Sequence, residues 1–199
     1  MKLLLGTTNI GKIQDYQKYL VHANLKLVTL RDLGILDEPL EIGETYKDNA
    51  LQKARFYAEK TEYPTLGEDG GFEVEALDNR PGIESRRWVG PKGTDEDRIN
   101  KVLDLLGKEK NRKARLAFTA VVYFPSERDY VEVSSLVQGV VPEKAAPVVR
   151  KNFPYRSLLF FPEYNKYYVD LSEKEEQEID HRKKACKELL LKLEPYISS

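Results

Sequence analysis

The sequence predicts an α/β protein with a mixed β-sheet, and three observations carry that reading. Short apolar runs alternate with segments of helical apolar spacing through the first half of the chain. Two long β-rich runs, Leu116 to Phe124 and Tyr130 to Val141, are separated by the polar insert PSERD. The chain then closes on a helical pattern. Alternation favours parallel pairing and the adjacent runs favour a hairpin, so the sheet is expected to be mixed rather than wholly parallel.

Each element has its own signal. Leu3 to Leu5 is a short buried strand that stops at Gly6. After GTTN, Ile10, Ile13, Tyr16 and Leu20 recur at helical spacing, with Thr8 or Asn9 as the N-cap. Leu25 to Leu30 alternates as a second strand. Thr45-Tyr-Lys-Asp48 is a capping box that opens a helix through about Lys60. Thr65 and Leu66 lead as a strand into Glu68 and Asp69, where Gly70 and Gly71 are expected to end it in a bend. Pro81-Gly82 marks a turn. Thr94 to Asp97 starts a helix whose face of Ile99, Val102, Leu103 and Leu106 ends at Gly107. A polar tract, KEKNRKAR, precedes the hairpin. Ser157 to Phe161 and Lys166 to Val169 read as short strands, and one final helix runs from Ser172 past Leu193.

Composition narrows the classes. A chain of 199 residues is long enough for one core-forming domain, and its net charge of -1 argues against a footprint for a nucleic acid polymer. The single Cys186 excludes an intrachain disulfide and fits a reducing compartment. The apolar run in MKLLLG is too short for a signal-peptide core, and no segment approaches a membrane span, so a cytoplasmic protein with no membrane partner is expected.

Three clusters could carry chemistry. GTTNIGK, Gly6 to Lys12, joins a strand to a helix, where open backbone N–H groups and the helix dipole suit a phosphate. Ile13 stands where a P-loop needs Ser or Thr, so the segment is either a phosphate cradle of another kind or a capped helix start with a surface lysine. Glu41, Glu44, Glu68 and Asp69 could supply carboxylates to Mg²⁺, which prefers oxygen and shares its shell with substrate phosphates; an acid-rich chain also produces such pairs by chance. DHRKK, Asp180 to Lys184, offers His181 and Arg182 to phosphate or base, or forms a charged outer face.

In their order along the chain, TTNIGK, EIGETYKDNALQKA, GEDGGFEVEAL with RPGIESRRW, and DHRKKA resemble segments of the inosine triphosphate pyrophosphatase family, the non-canonical purine NTP pyrophosphatases. The resemblance spans nearly the whole chain. It implies an α/β fold with an elongated mixed β-sheet, flanked by helices, and residues 1–199 forming a single domain with two lobes around a nucleotide cleft. It implies Mg²⁺-dependent hydrolysis of (d)NTP to (d)NMP and pyrophosphate, with ITP, dITP or XTP as substrates, by a homodimer. By position, Thr7, Thr8, Asn9, Ile10, Gly11 and Lys12 would bind the triphosphate together with Lys53. Glu41 and Asp69 would hold Mg²⁺. Asp69, with Glu68 and Lys53, would carry the catalysis. Gly70, Arg87, His181 and Arg182 would complete the substrate site, with Phe153 and Tyr155 near the base. On this reading a dication offsets the repulsion between Glu68 and Asp69, and Gly70 and Gly71 admit the ligand.

The chain departs from the family pattern on the base side. Gly70 stands where a Ser or Thr is usual. The base segment reads Asn152-Phe-Pro-Tyr-Arg-Ser157, with Pro154 for a Gly and Arg156 for an Asp. Glu176 replaces a usual Lys, and Asp180 a usual Ser. Two readings of Arg156 stand side by side: it reads acceptors on a 6-oxopurine, or it pairs with Glu176. A pyrophosphatase with altered base preference and a nucleotide-binding protein without turnover are the alternatives to the leading function.

Overall fold

In the computed structural model residues 1–150 and 153–197 are described; Asn152, which opens the base segment, lies outside them. Strand β1 (Lys2–Leu5) pairs in parallel with β2 (Lys26–Thr29), Leu4 opposite Val28, and with β3 (Thr65–Val74), Leu5 opposite Leu66. The two-residue β4 (Arg80–Pro81) lies antiparallel to the end of β3. Beyond β3 come β5 (Lys113–Phe124), β6 (Asp129–Val140), β7 (Phe160–Phe161) and β8 (Lys166–Tyr167). The last two pairings, β6 with β7 and β7 with β8, are antiparallel, so the sheet is mixed, as its sequence implied.

Five α-helices accompany the sheet among the described residues: α1 (Ile10–Tyr19), α2 (Tyr46–Thr61), α3 (Asp95–Leu106), α4 (Glu173–Ile179) and α5 (His181–Ile197). Thr45, Thr94 and Ser172 each form a reciprocal capping box, with Asp48, Asp97 and Glu175, which satisfies the first orphan amides of α2, α3 and α4. At α1 the cap is Asn9.

The chain forms two compact units. The first comprises Met1–Asp69, Phe118–Ser135 and the chain from His181 on. Strand alternation sorts its side chains onto two faces. Leu3, Leu5, Leu66, Phe118 and Val122 join Tyr16 of α1 and Leu189 and Leu193 of α5 in one core. Leu4 packs with Tyr57 of α2, and Val121 and Tyr123 pack with Ala50, Ala54 and Ala58 of the same helix. A three-layer arrangement results, with α1 and α5 on one side of the strands and α2 on the other. The second unit, Gly70–Ala117 with Leu136–Asp180, has its own core in which Phe72, Val102, Val141, Leu159 and Phe161 meet.

Five expectations need correction. β3 does not end at the glycines; it runs unbroken through Glu68, Asp69, Gly70 and Gly71 to Val74. Pairing with neighbouring strands overrides the poor strand propensity of glycine. Nor does Gly71 make room for a ligand, because a Cβ there would lie 2.0 Å from the Gly82 carbonyl oxygen and 2.6 Å from the Ser85 hydroxyl. The last helix is two helices, interrupted at Asp180, whose ψ of 106° is extended. The apolar period runs across the break and so hid it. Lastly, Ser157 to Phe161 and Lys166 to Val169 are strand only over β7 and β8; Ser157 ends one 3₁₀ turn, Pro154–Ser157, and Tyr168 begins another, Tyr168–Asp170. Pro154 at the start of the first turn has the fixed φ that such a turn needs. β5 also begins three residues earlier than Leu116, inside the polar tract.

Candidate active site

The strand-to-helix loop is built tightly. Gly6 lies where a Cβ would meet the Leu66 carbonyl oxygen at 3.0 Å, so the loop leaves β1 hard against β3. The Thr7 hydroxyl accepts the Asn9 N–H at 3.2 Å, and the Asn9 side chain accepts the Lys12 N–H at 3.2 Å. Thr8 donates its hydroxyl to Glu38 at 2.9 Å. Asn9 thus caps one amide of α1, and the N–H groups of Ile10 and Gly11 occupy the first turn, where a helix offers donors without intrahelical partners. Ile10 is 69% exposed, so this helix start faces solvent.

Glu68 points from β3 to the α1 and α5 side and is fully buried there. Arg182 grips its carboxylate with two nitrogens, Nη2 to Oε1 at 2.7 Å and Nε to Oε2 at 3.2 Å. Lys12 Nζ lies 3.1 Å from Oε1, and the Tyr16 hydroxyl donates to Oε2. Arg182 also reaches Asp15 at 2.9 Å and lies over the Phe118 ring. Burial pushes the Glu68 carboxyl up, but Arg182 and Lys12 outweigh it and hold the group well below the usual carboxylate range. The same burial and the Glu68 charge push the Tyr16 phenol up. His181, beside Arg182, is buried with its ring edge-on to Phe118.

Asp69 points the other way, toward α2. Its Oδ2 accepts a hydrogen bond from the Asn49 side-chain amide at 2.9 Å. Lys53, one turn further along α2, donates to Glu41 Oε1 at 2.8 Å and to the Glu68 carbonyl at 3.0 Å. Burial raises the Asp69 carboxyl above its ordinary value; the Asn49 hydrogen bond, Lys53 and Lys12 oppose the rise, and the Glu41 charge adds to it. The charges of Glu41, Lys53 and Lys12 therefore all act on Asp69. Gly67 sets this closeness: a Cβ there would lie 2.1 Å from the Ala50 carbonyl oxygen, so α2 crosses β3 where only glycine fits.

No group of three or more His, Cys, Asp or Glu is gathered for a metal among the described residues. Two carboxylates that repel each other in a partly buried setting nevertheless suit a hard dication that takes its remaining oxygens from phosphate and water. Glu41 and Asp69 are two carboxylates in such a setting, with Lys53 bonded to Glu41 and Asn49 to Asp69.

The second unit holds the base-side candidates. Arg156 is 5% exposed, its guanidinium carbon 4.6 Å from the Phe153 ring centroid and 4.5 Å from that of Tyr168, and its Nη1 3.0 Å from Glu176 Oε1. Arg150 approaches the same oxygen at 3.4 Å. Of the two readings of Arg156, the ion pair is the arrangement present. Tyr155 stacks on Phe72 with ring centroids 5.0 Å apart and donates its hydroxyl to the Ser85 carbonyl at 2.9 Å. Ser85 in turn donates to the Gly82 carbonyl and accepts the Phe72 N–H, which makes it a brace for the turn. Phe153 and Gly70 are half-buried, and Arg87 is exposed.

The structure thus gathers Lys12, Lys53, Glu41, Glu68, Asp69 and Arg182 in the first unit beside the open start of α1. Sequence reasoning passed over Asn49, Tyr16, Asp15, Glu38 and Gly67. Asn49 was findable: it stands four residues before Lys53 in NALQK, hence on the same helix face.

Fold and site together describe an α/β protein in which a solvent-facing helix start, buried and half-buried carboxylates and two lysines lie in one unit, a combination suited to phosphate chemistry. The chain belongs to the Ham1 family, whose family model matches residues 3–192. It is 36% identical over 194 residues to a dITP/XTP pyrophosphatase of Thermus thermophilus, covering 96% of this chain and 90% of that protein. It is 32% identical over 196 residues to a dITP/XTP pyrophosphatase of Leptospira interrogans (serovar copenhageni), covering 98% of each. Among solved structures it matches a HAM1 protein from Coxiella burnetii with a TM-score of 0.87 at 25% identity, over 97% of this chain and 98% of that one. The Staphylococcus aureus Ham1 protein matches with a TM-score of 0.84, also at 25% identity, over 98% of this chain and all of that one.

Proposed function

We propose that this chain is a nucleoside triphosphate pyrophosphohydrolase that removes non-canonical purine nucleotides such as dITP and XTP, splitting them to monophosphate and pyrophosphate. The observation that carries the reading is Asp69: a buried carboxylate with raised proton affinity, beside Glu41 and within the field of Lys12 and Lys53. A water attacking the α-phosphorus loses its proton as the bond to oxygen forms and the α–β bridge breaks. A carboxylate held above its ordinary pKa is a better acceptor for that proton than an exposed one.

Charge follows the leaving pyrophosphate. Lys12, the helix start of α1 with its Ile10 and Gly11 amides, and the Thr7 and Thr8 hydroxyls supply positive ends and donors for it. Glu68 plays a different part: paired on one face with Arg182, Lys12 and Tyr16, it orients Lys12 and fixes the strand from which Asp69 projects. Glu41 and Asp69 would hold Mg²⁺, which when bound neutralises charge on the phosphates and polarises the reacting bond.

The assignments of Gly70, Arg87, His181, Phe153 and Tyr155 to substrate rest on the family resemblance, and so do the homodimer and the cytoplasmic location. The structure bears on location only in that no helix is long and apolar enough to cross a membrane among the described residues. For Arg156 the reading is indirect: it backs the Phe153 ring rather than reading base edges itself.

Pyrophosphate release from separate panels of ITP, XTP, dITP and the ordinary NTPs and dNTPs, with Mg²⁺ present, tests the function. Release favouring the inosine and xanthosine nucleotides, and abolished in Asp69→Asn, is expected. Tight nucleotide binding with no pyrophosphate would sink the enzyme reading and leave a binding protein.

A further inference from the structure

Asn49 is 1% exposed and makes two hydrogen bonds of opposite sense. Its side-chain carbonyl accepts the Gly43 N–H at 2.7 Å, and its amide donates to Asp69 Oδ2 at 2.9 Å. The partners settle which end is which, since a backbone N–H can only donate and an ionised carboxylate can only accept. Gly43 lies two residues beyond Glu41. One side chain therefore ties the loop that carries Glu41 to the strand that carries Asp69.

The loop has no slack at this point. A Cβ on Gly43 would stand 2.7 Å from Asn49 Oδ1 and 2.6 Å from Asp48 Cβ, so the chain passes directly over the first turn of α2. Lys53 repeats the tie one helical turn later, from the Glu41 carboxylate to the Glu68 carbonyl. Lys53 is a flexible point charge that a phosphate can draw away; Asn49, buried between two fixed partners, is not.

We infer that Asn49 is a positioning residue for the Glu41–Asp69 carboxylate pair, holding the two acids in one fixed relation so that a divalent cation finds both in place. The inference rests on the reading of those acids as the cation-holding pair. Nothing else among the described contacts joins Gly43 to Asp69 through a single side chain. Partners that orient metal-binding side chains typically change metal affinity or activity about ten- to hundredfold when removed.

Mn²⁺ binding to the nucleotide-free protein, followed by the electron paramagnetic resonance of free Mn²⁺, tests it together with steady-state kinetics. Asn49→Ala is expected to weaken Mn²⁺ about tenfold or more and to lower kcat by a similar factor at saturating Mg²⁺ and nucleotide, with KM for nucleotide changed less than about threefold. A melting temperature close to the parent's separates this from general loosening. Mn²⁺ affinity and kcat both unchanged overturn the inference, as does a loss confined to KM. If Asn49→Ala does not fold, the parent protein decides: on Mg²⁺ addition the nuclear magnetic resonance signals of the Asn49 side-chain amide and the Gly43 N–H must move together, and signals that stay put overturn it. Failure of the underlying reading looks different. There, Mn²⁺ binding by the parent is unaffected by Glu41→Gln and Asp69→Asn.

Discussion

Glu68 and Asp69 are consecutive on β3, yet their carboxylates face opposite sides of the sheet: Glu68 meets Arg182 and Lys12, and Asp69 meets Asn49. The alternation of a strand separates two like charges that a turn would have left side by side. It also gives them opposite electrostatic fates, Glu68 held ionised and Asp69 pushed toward its neutral form. One acid anchors and the other is left able to take a proton.

Removing half of the buried ion pair is costly. Arg182→Leu leaves Glu68 in the core with Lys12 and Tyr16 alone, and a loss of about 3 kcal/mol or more in urea unfolding is expected. Glu68→Met combined with Arg182→Leu recovers most of that loss, because no fully buried charge is then left unpaired; Lys12 and Asp15, which each lose a partner, are partly exposed to water. A double variant as unstable as the single one would contradict the account.

Glu68 also shapes the acid limb of stability. Its folded-state pKa lies below the ordinary 4.5, so between the two values the unfolded chain binds more protons than the folded one. Its contribution is complete above about pH 4.5 and drains away as the pH falls below that. Urea midpoints measured from neutral pH downward are expected to drop through this window, and Glu68→Gln to flatten the drop.

Asp69 has the opposite sign. Its pKa is raised on folding, so stability falls as pH rises from the ordinary Asp value of 3.8 through the folded value, and the penalty is complete above both. Asp69→Asn is therefore expected to melt higher than the parent at neutral pH while releasing no pyrophosphate. The gain in melting temperature should vanish in acid below about pH 3.8. An equal gain at every pH would point to packing instead of charge.

Gly67→Ala drives a methyl group into the backbone of α2 near Ala50 and Ala54. A cost of at least about 2 kcal/mol is expected, since the obstacle is main chain and cannot swing aside. The displaced helix carries Asn49 and Lys53, so kcat should fall even at temperatures where the variant is fully folded. Kinetics on a sample shown by circular dichroism to be native check this.

Arg156 is committed to Glu176 and to the rings of Phe153 and Tyr168. Arg156→Lys keeps the charge but loses the broad guanidinium face over the two rings, and about 1–2 kcal/mol of stability should go with it. The ranking of kcat/KM across the nucleotide panel is expected to stay as it was. A reordered ranking would show that the guanidinium reads the base directly.

Much of this was legible in the residues. Capping boxes at Thr45, Thr94 and Ser172 appear in the structure where they stand in the sequence, because a cap depends on a few neighbouring residues. The strand-to-helix loop at Gly6 to Lys12 and the hairpin across PSERD are equally local. The glycines after Asp69 misled for the converse reason: a strand interior is stabilised by partners far away in the chain, and intrinsic propensity yields to them. Asp180 misled because helical period survives a one-residue interruption.

What the sequence by itself determined was the set of parts: which residues are acids, lysines, caps and core, and the α/β order in which they occur. What only the tertiary structure decided was their pairing. Arg182 is 114 residues from Glu68, and Asn49 is 20 from Asp69. Whether a carboxylate is neutralised or left reactive depends on which of those distant groups the packed helices bring to its face of the sheet, since charge interactions and desolvation act through space and not along the chain.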